Sequence, residues 1–330
     1  MKRRDMLKLA ALAAIAVRPR YAFAEAAAAP PTAPANAAAL LKRPFGKSSE
    51  QISIVGFGGL VLAKLDQDAS NRLVAEAFEK GVNYYDVAPE YGSAEVKMGP
   101  ALEPYRKKVF LACKTAQRTA EAAKKEFERS LERLKTDHFD LYQLHHIRKV
   151  NEDVDAVFAK GGAWEFIQEA RKDGRIRHLG FTAHTEAAAL AAMDKFEFES
   201  VMFPLTFSSW YGASFGPRVL EKANAKGIAV MAIKTLARQK WPKEPKVPRG
   251  TDAFSKMWYQ PVTDPEEQAL SVRWTLSRQV TAILPGANDV LHRRAFEVGL
   301  AYTPVLPAED ERLKTLAGQL DPVFKPGQEP

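Results

Sequence analysis

A chain of 330 residues that is 46% apolar has enough hydrophobic side chain for one large barrel or two smaller domains, and its interspersed charges exclude bulk disorder. Of the net charge of +8, +5 falls in residues 1–24, where six Lys/Arg face one Asp, and the remaining +3 excludes a strongly basic nucleic-acid-binding domain. One cysteine, Cys113, excludes an intramolecular disulfide and any cysteine-based zinc or iron–sulfur site within the chain.

The chain opens with Lys2, Arg3 and Arg4, passes through nine apolar residues from Leu9 to Val17, and reaches Ala22-Phe23-Ala24. A basic head, an apolar stretch and a small-residue cleavage site in that order predict a secretory signal over 1–24. Nine helical residues rise only about 14 Å against about 30 Å of hydrocarbon, so stable membrane insertion is not expected. The Arg3-Arg4 pair, followed by Asp5, Met6, Leu7 and Lys8, resembles a twin-arginine signal, which implies a folded protein handed to the twin-arginine export machinery and a periplasmic destination. The Ala/Pro run from Glu25 to Ala39 has no apolar periodicity, which predicts a disordered linker over 25–46. The folded domain is then expected over 47–320, with a tail over 321–330.

From residue 53 onward, short β-rich runs alternate with helical patterns. The runs are SIVGFG, VNYYDVA, VFLACK, FDLYQLH, IRHLGFT, SVMFPL, IAVMAI and VTAILPG. Between them lie amphipathic stretches such as ASNRLVAEAFEKG, with Leu73, Ala77 and Phe78 on one face, and TAEAAKKEFERSLERLK, with Phe127, Leu131 and Leu134. Eight strand–helix units favour a single-domain α/β fold, the closed (β/α)8 TIM barrel, although a doubly wound open sheet satisfies the same count. The glycines of GFGGLVLAK lack the GxGxxG spacing, so a Rossmann-type nucleotide site is unsupported.

Reactive groups of a β/α barrel collect at the carboxyl ends of its strands. Four polar residues stand there: Asp86 and Tyr91 after the second run, Lys114 closing the third and His145 closing the fourth. A carbonyl that accepts hydride needs a proton on oxygen, and a phenol of ordinary pKa about 10 donates poorly unless its anion is stabilised. An ammonium at Lys114 would lower the Tyr91 pKa, Asp86 would hold that ammonium in place, and His145 would steer the carbonyl oxygen.

The segment VNYYDVAPEYGSAE resembles the D-x-A-x-x-Y-G pattern of the aldo-keto reductases, with Asp86, Ala88, Tyr91 and Gly92 at its fixed positions. LACKT is similar to the strand that carries the family's lysine, and FDLYQLHH to the one that carries its histidine. The resemblance covers about residues 47–301. It implies a reductase of aldehydes or ketones using NADPH, with NADH as the alternative, in which Tyr91 is the general acid, tuned by Lys114 and Asp86 while His145 orients the substrate. No metal is called for.

By the same resemblance, the nicotinamide contacts fall on Thr182, Met202 and Ile233, and the adenosine phosphate falls on the IPG-like segment with Gly286, His292 and Arg293. Several of these depart from the family's residues: Ala183 replaces an amide side chain, Thr206 an asparagine, and Ile233 an aromatic that would stack on the ring. The departures keep open a second reading, a nucleotide-binding sensor or auxiliary subunit with little turnover. Trp210, Tyr211 and Trp258, with Trp241, Phe254 and Tyr259, are candidates for the wall of a small-molecule carbonyl pocket.

Overall fold

A computed structural model describes residues 39–243 and 257–328. The signal at 1–24, residues 25–38 of the linker, and Phe254 lie outside the described residues.

Eight strands form one parallel sheet, and each predicted run overlaps one of them: β1 Phe57–Gly58, β2 Tyr84–Asp86, β3 Phe110–Thr115, β4 Phe139–Ile147, β5 Ile176–Ala183, β6 Ser200–Pro204, β7 Ala229–Ile233 and β8 Ala282–Leu284. Each pairs with its sequence neighbour. The open-sheet alternative fails at the two ends, because a parallel bridge joins Val55 to Ile283. There the Gly56 N–H donates to Ile283 O and the Ile283 N–H donates to Ile54 O, both at 2.9 Å. The sheet is therefore a closed (β/α)8 barrel with no free edge.

Two apolar layers hold it. Inside the barrel, Tyr84, Phe110, Ala112, Leu141, Met202, Met231 and Leu284 pack on one another; outside, the alternate strand residues pack against the helices. Burial on both faces is why the strands read as continuous apolar runs rather than as alternation. The helix Gln67–Glu79 begins where Asp66 accepts from the Ala69 N–H at 2.7 Å, and it buries Leu73, Val74 and Ala77. Helix Ala120–Leu134 buries Phe127 and Leu134 in the same manner.

The folded domain starts earlier than the composition predicted. Residues 39–46, expected to belong to the linker, instead enter a hairpin in which Lys42–Pro44 pairs antiparallel with Gln51–Ser53. Phe45 and Ile52 are fully buried in the barrel's inner layer, where Phe45 meets Phe110 with ring centroids 5.0 Å apart. Arg43 ties the hairpin to the wall, donating to Val280 O at 2.7 Å and Leu276 O at 2.8 Å. The Ala/Pro bias ends at Ala39, and the apolar residues that follow are what the barrel floor needs.

His292 fastens the mouth. It is fully buried; Nε2 accepts from the Gly58 N–H at 3.3 Å and Nδ1 stands 2.9 Å from Asn288 O, so the neutral ring protonated on Nδ1 satisfies both contacts. The clamp joins β1 to the helix Asp289–Leu300 that follows β8. Among the described residues no helix is long and apolar enough to cross a membrane.

Burial holds His292 down to about 4. An unfolded histidine titrates near 6.5, so between about pH 6.5 and 4 the unfolded chain takes up a proton that the folded chain refuses. Stability is then expected to fall as pH drops through that window. His292→Gln, which carries no titrating ring, should flatten the slope of urea-unfolding free energy against pH by up to ~1.4 kcal/mol per pH unit; an unchanged slope would contradict this account.

Candidate active site

Period-two alternation places Tyr84 beside Asp86, Ala112 beside Lys114, and Gln143 beside His145, all turned into the barrel. At the centre, the Lys114 ammonium is fully buried and bonded to Asp86 Oδ1, with a second bond to Val87 O at 3.1 Å. The other carboxylate oxygen, Asp86 Oδ2, accepts from Gln143 Nε2 at 2.9 Å and from the Tyr84 hydroxyl at 3.2 Å. Burying two charges is tolerable because both are paired and their remaining valences are met. Burial opposes the charge on Lys114, but Asp86 and Tyr91 together outweigh it and raise the lysine pKa. Lys114 is therefore a cation at neutral pH.

Tyr91 lies in the loop after β2, with Lys114 Nζ 5.2 Å from its ring centroid and the His145 ring edge-on at 5.6 Å. The expected lowering of the phenol pKa is not obtained. Burial pushes it up, Lys114 pulls it down, and Asp86 pushes it up again, with a net rise. The physical reason is that desolvation of the buried phenolate outweighs the pull of Lys114, which Asp86 also partly offsets.

His145 and His146 converge on Glu90. Glu90 Oε2 is 2.7 Å from His145 Nδ1, without the alignment of a hydrogen bond, and 3.0 Å from His146 Nε2. The imidazoles hold the Glu90 carboxyl down to about 2, while burial, opposed by Glu90, takes His145 down to about 4. Adjacent strand residues ordinarily face opposite ways. Here the β4–β5 register breaks between Leu144 and Ile147, and His146 takes a left-handed backbone with φ 39°, so both rings reach the mouth.

A cleft of about 220 Å³ opens at this end, lined by Asp86, Tyr91, His145, His146, Arg148, Thr182, His184, Met202, Ile233, Lys234 and the turn Pro285–Ala287. Asp86, Tyr91 and His145 share it with four of the six residues predicted to contact cofactor, Thr182, Met202, Ile233 and Gly286. Thr182 Oγ1 is already engaged, accepting from the His146 N–H at 2.5 Å. A wider groove of about 790 Å³ lies at the opposite, amino end among the paired charges of Arg106, Asp140 and Arg177, and none of the four candidate catalytic residues touches it.

Several predicted contacts fall elsewhere. His292 is sealed in its clamp and presents no free nitrogen to an anion. Arg293 is paired with Glu76 at 3.0 Å and Asp289 at 2.7 Å, and Arg294 with Glu297 at 3.1 Å. Trp210 and Tyr211 sit on the helix Phe207–Ala213, packed against Trp274 and Arg278 in the outer layer, where the Tyr211 hydroxyl donates to Asp310 at 2.6 Å. They do not wall the cleft; an aromatic after a strand end can cover the helix layer as well as the mouth. Thr206 caps that helix, accepting from the Ser209 N–H at 3.0 Å. Trp258 is half exposed beside Lys234, Tyr259 is buried beneath it, and Trp241 donates to Met257 O at 2.8 Å. Gly59, one of the clustered glycines, allows β1 to approach β2, since a Cβ there would sit 2.8 Å from Asp86 O.

The sequence reading missed Tyr84, Gln143, Glu90, His146 and Lys234. The first two were available from period-two spacing to Asp86 and His145. Glu90 and His146 adjoin residues already singled out, but only the β4 irregularity brings them together. Lys234 follows Ile233 at a strand end, the same signal that pointed to Lys114. It has left-handed backbone, with φ 64°, and no carboxylate partner among the described residues; its ammonium lies 5.4 Å from the centroid of the Tyr259 ring, and burial takes its pKa down to about 8.

Comparison with known proteins places these features. The aldo-keto reductase AKR11C1 from Bacillus halodurans, in its holo form, superposes with a TM-score of 0.66 at 22% identity over 84% of this chain and 96% of that one. The glycerol dehydrogenase AKR11B4 from Gluconobacter oxydans does so with a TM-score of 0.63 at 18% identity over 87% and 98%. In sequence, the uncharacterized oxidoreductase YqkF of Bacillus subtilis is 31% identical over 156 residues, a match spanning 43% of this chain and 48% of that protein. L-galactose dehydrogenase of Arabidopsis thaliana is 24% identical over 317 residues, 85% of this chain and 94% of that one. The aldo/keto reductase family pattern runs through residues 54–295, from the strand that closes the barrel to the helix that bears His292, and the chain belongs to that family, the carbonyl-directed oxidoreductases.

Proposed function

We propose that this protein reduces aldehydes or ketones to alcohols with NADPH, with Tyr91 as the proton donor. The observation that carries the reading is the Tyr91 ring held between the buried Lys114 ammonium and the His145 ring, at the wall of a cleft on the carboxyl side of the barrel. The phenol keeps its proton at neutral pH because burial disfavours the phenolate. When a carbonyl oxygen gains negative charge beside it, Tyr91 Oη gives up that proton, and the nearby Lys114 stabilises the phenolate left behind. Asp86, held by Gln143 and Tyr84, fixes the lysine. His145 faces the same oxygen and limits its approach.

The lining of the cleft supports an anionic dinucleotide as the cofactor. Lys234 is a partly buried amine whose pKa desolvation lowers to about 8, and among the described residues it has no carboxylate partner, so an anion there would favour its charged form. Met202 and Ile233 offer apolar faces to a nicotinamide ring, Thr182 a hydroxyl to its amide, and Gly286 lets the chain approach closely. Bound there, the reduced nicotinamide would supply the hydride. The aliphatic side chains at 183, 202 and 233 favour one second reading, a nucleotide-binding sensor with slow turnover.

The reading extends to destination. Arg3, Arg4 and the Ala22-Phe23-Ala24 site support export of the folded protein through the twin-arginine machinery to the periplasm. Cell fractionation should show Arg3→Lys with Arg4→Lys retained in the cytoplasm; unchanged export would remove this part.

Fluorescence titration of the protein from residue 25 onward should show tight NADPH binding that Lys234→Met weakens at least about tenfold, the worth of one charge-assisted contact. NADPH oxidation with a panel of carbonyls, including sugar- and polyol-derived ones as the names of two relatives suggest, should fall about 10²–10⁴-fold in kcat for Tyr91→Phe with nucleotide affinity retained. Tight binding without turnover on any carbonyl would establish the sensor instead, and an absence of binding would sink both.

A further inference from the structure

We propose that Glu90, His145 and His146 form a binding site for a divalent transition metal at the mouth of the cleft, and that an ion bound there withdraws His145 from the carbonyl and stops turnover. One ligand atom from each of the three residues lies within 4.8 Å of the others. Glu90 Oε2 stands 2.7 Å from His145 Nδ1 and 3.0 Å from His146 Nε2. Ligands bound at about 2.1 Å and roughly right angles stand about 3 Å apart, which the two contacts to Glu90 Oε2 match, so the triad can close one face of a coordination sphere once side-chain movement sets the separation of the two imidazole nitrogens.

Two observations beyond the clustering point the same way. His145 Nδ1 is buried and makes no aligned hydrogen bond, although a carboxylate oxygen is beside it. A buried ring nitrogen whose hydrogen bonding is unmet can be satisfied by a metal, giving up its proton where it carries one. Secondly, the backbone is distorted to bring these rings together: the register breaks after Leu144, and His146 has φ 39°, held by its N–H on Thr182 Oγ1. In a regular strand the two rings would face opposite sides; here their centroids are 4.6 Å apart. Such a distortion persists only where the surroundings impose it, and it collects at functional sites.

Two imidazoles and one carboxylate suit Zn²⁺, Co²⁺, Ni²⁺ and Fe²⁺. Arg148 and Lys234 line the same mouth, and their charge opposes any cation. Affinity must then come from coordination to nitrogen rather than from field strength, which disfavours Mg²⁺ and Ca²⁺.

The test uses the protein from residue 25 onward, free of histidine tags. Co²⁺ titration should develop visible d–d absorption saturating at one ion per chain, Zn²⁺ should compete it away, and Mg²⁺ should not. Glu90→Gln and His146→Phe should each weaken Co²⁺ at least tenfold while circular dichroism and the thermal midpoint stay those of the parent. No binding up to millimolar Co²⁺, or binding unchanged in both variants, overturns the site. The inhibitory half rests on the reductase reading: Zn²⁺ should suppress carbonyl turnover, a chelator should restore it, and His146→Phe should shift the inhibiting concentration upward in proportion to its lost affinity. Metal bound at the triad without effect on turnover overturns that half. Binding is read without any turnover, so failure of the metal site and failure of the reductase reading are separately visible.

Discussion

The active end of this molecule depends on one buried ion pair. Lys114 is wholly removed from water, and it remains a cation only because Asp86 is bonded to it and Asp86 is in turn held by Gln143 and Tyr84. Three neighbouring strands contribute to that knot, β2, β3 and β4. Their parallel register, with Asp86 opposite Ala112 and Lys114 opposite Gln143, sets the height at which the charges meet. Removing one partner would strand the other in a low-dielectric interior, a far larger penalty than the loss of any surface pair in this chain.

Around that rigid knot the mouth is built from less regular backbone. His146 and Lys234 both have left-handed conformations, at the ends of β4 and β7, and both turn their side chains into the cleft. The contrast is physical. Strand interiors are held by paired ladders and two-sided burial, whereas strand ends are free to be bent by the contacts the side chains make. The buried ion pair sits on the ladders, and the residues proposed to meet nucleotide and metal sit on the bends.

Much of this was legible in the residues. Short β-rich runs alternating with helical patterns located all eight strands, because strands buried on both faces are largely apolar along their length. The D-x-A-x-x-Y-G spacing put Asp86 and Tyr91 at one mouth. Other readings failed because neighbours decided the outcome. His292 looked like an anion contact and is a clamp between β1 and the last barrel helix. Trp210 and Tyr211 looked like pocket aromatics and face Trp274 and Arg278 in the helix layer. Residues 39–46 looked like linker, yet Phe45 closes the barrel floor.

By itself, the sequence determined what local pattern controls: the number and order of strand–helix units, the polar residues at strand ends, the family to which those spacings belong, and the exclusion of an intramolecular disulfide. Only the tertiary structure decided what depends on distance between segments far apart in the chain. It closed the sheet through Val55 and Ile283, and it buried the Tyr91 phenol beside the Lys114–Asp86 pair so that its pKa moves up rather than down. It also bent β4 so that His145 and His146 share Glu90. Periodicity reports which face a side chain takes, but electrostatics varies with separation and burial, and both are properties of the packed barrel.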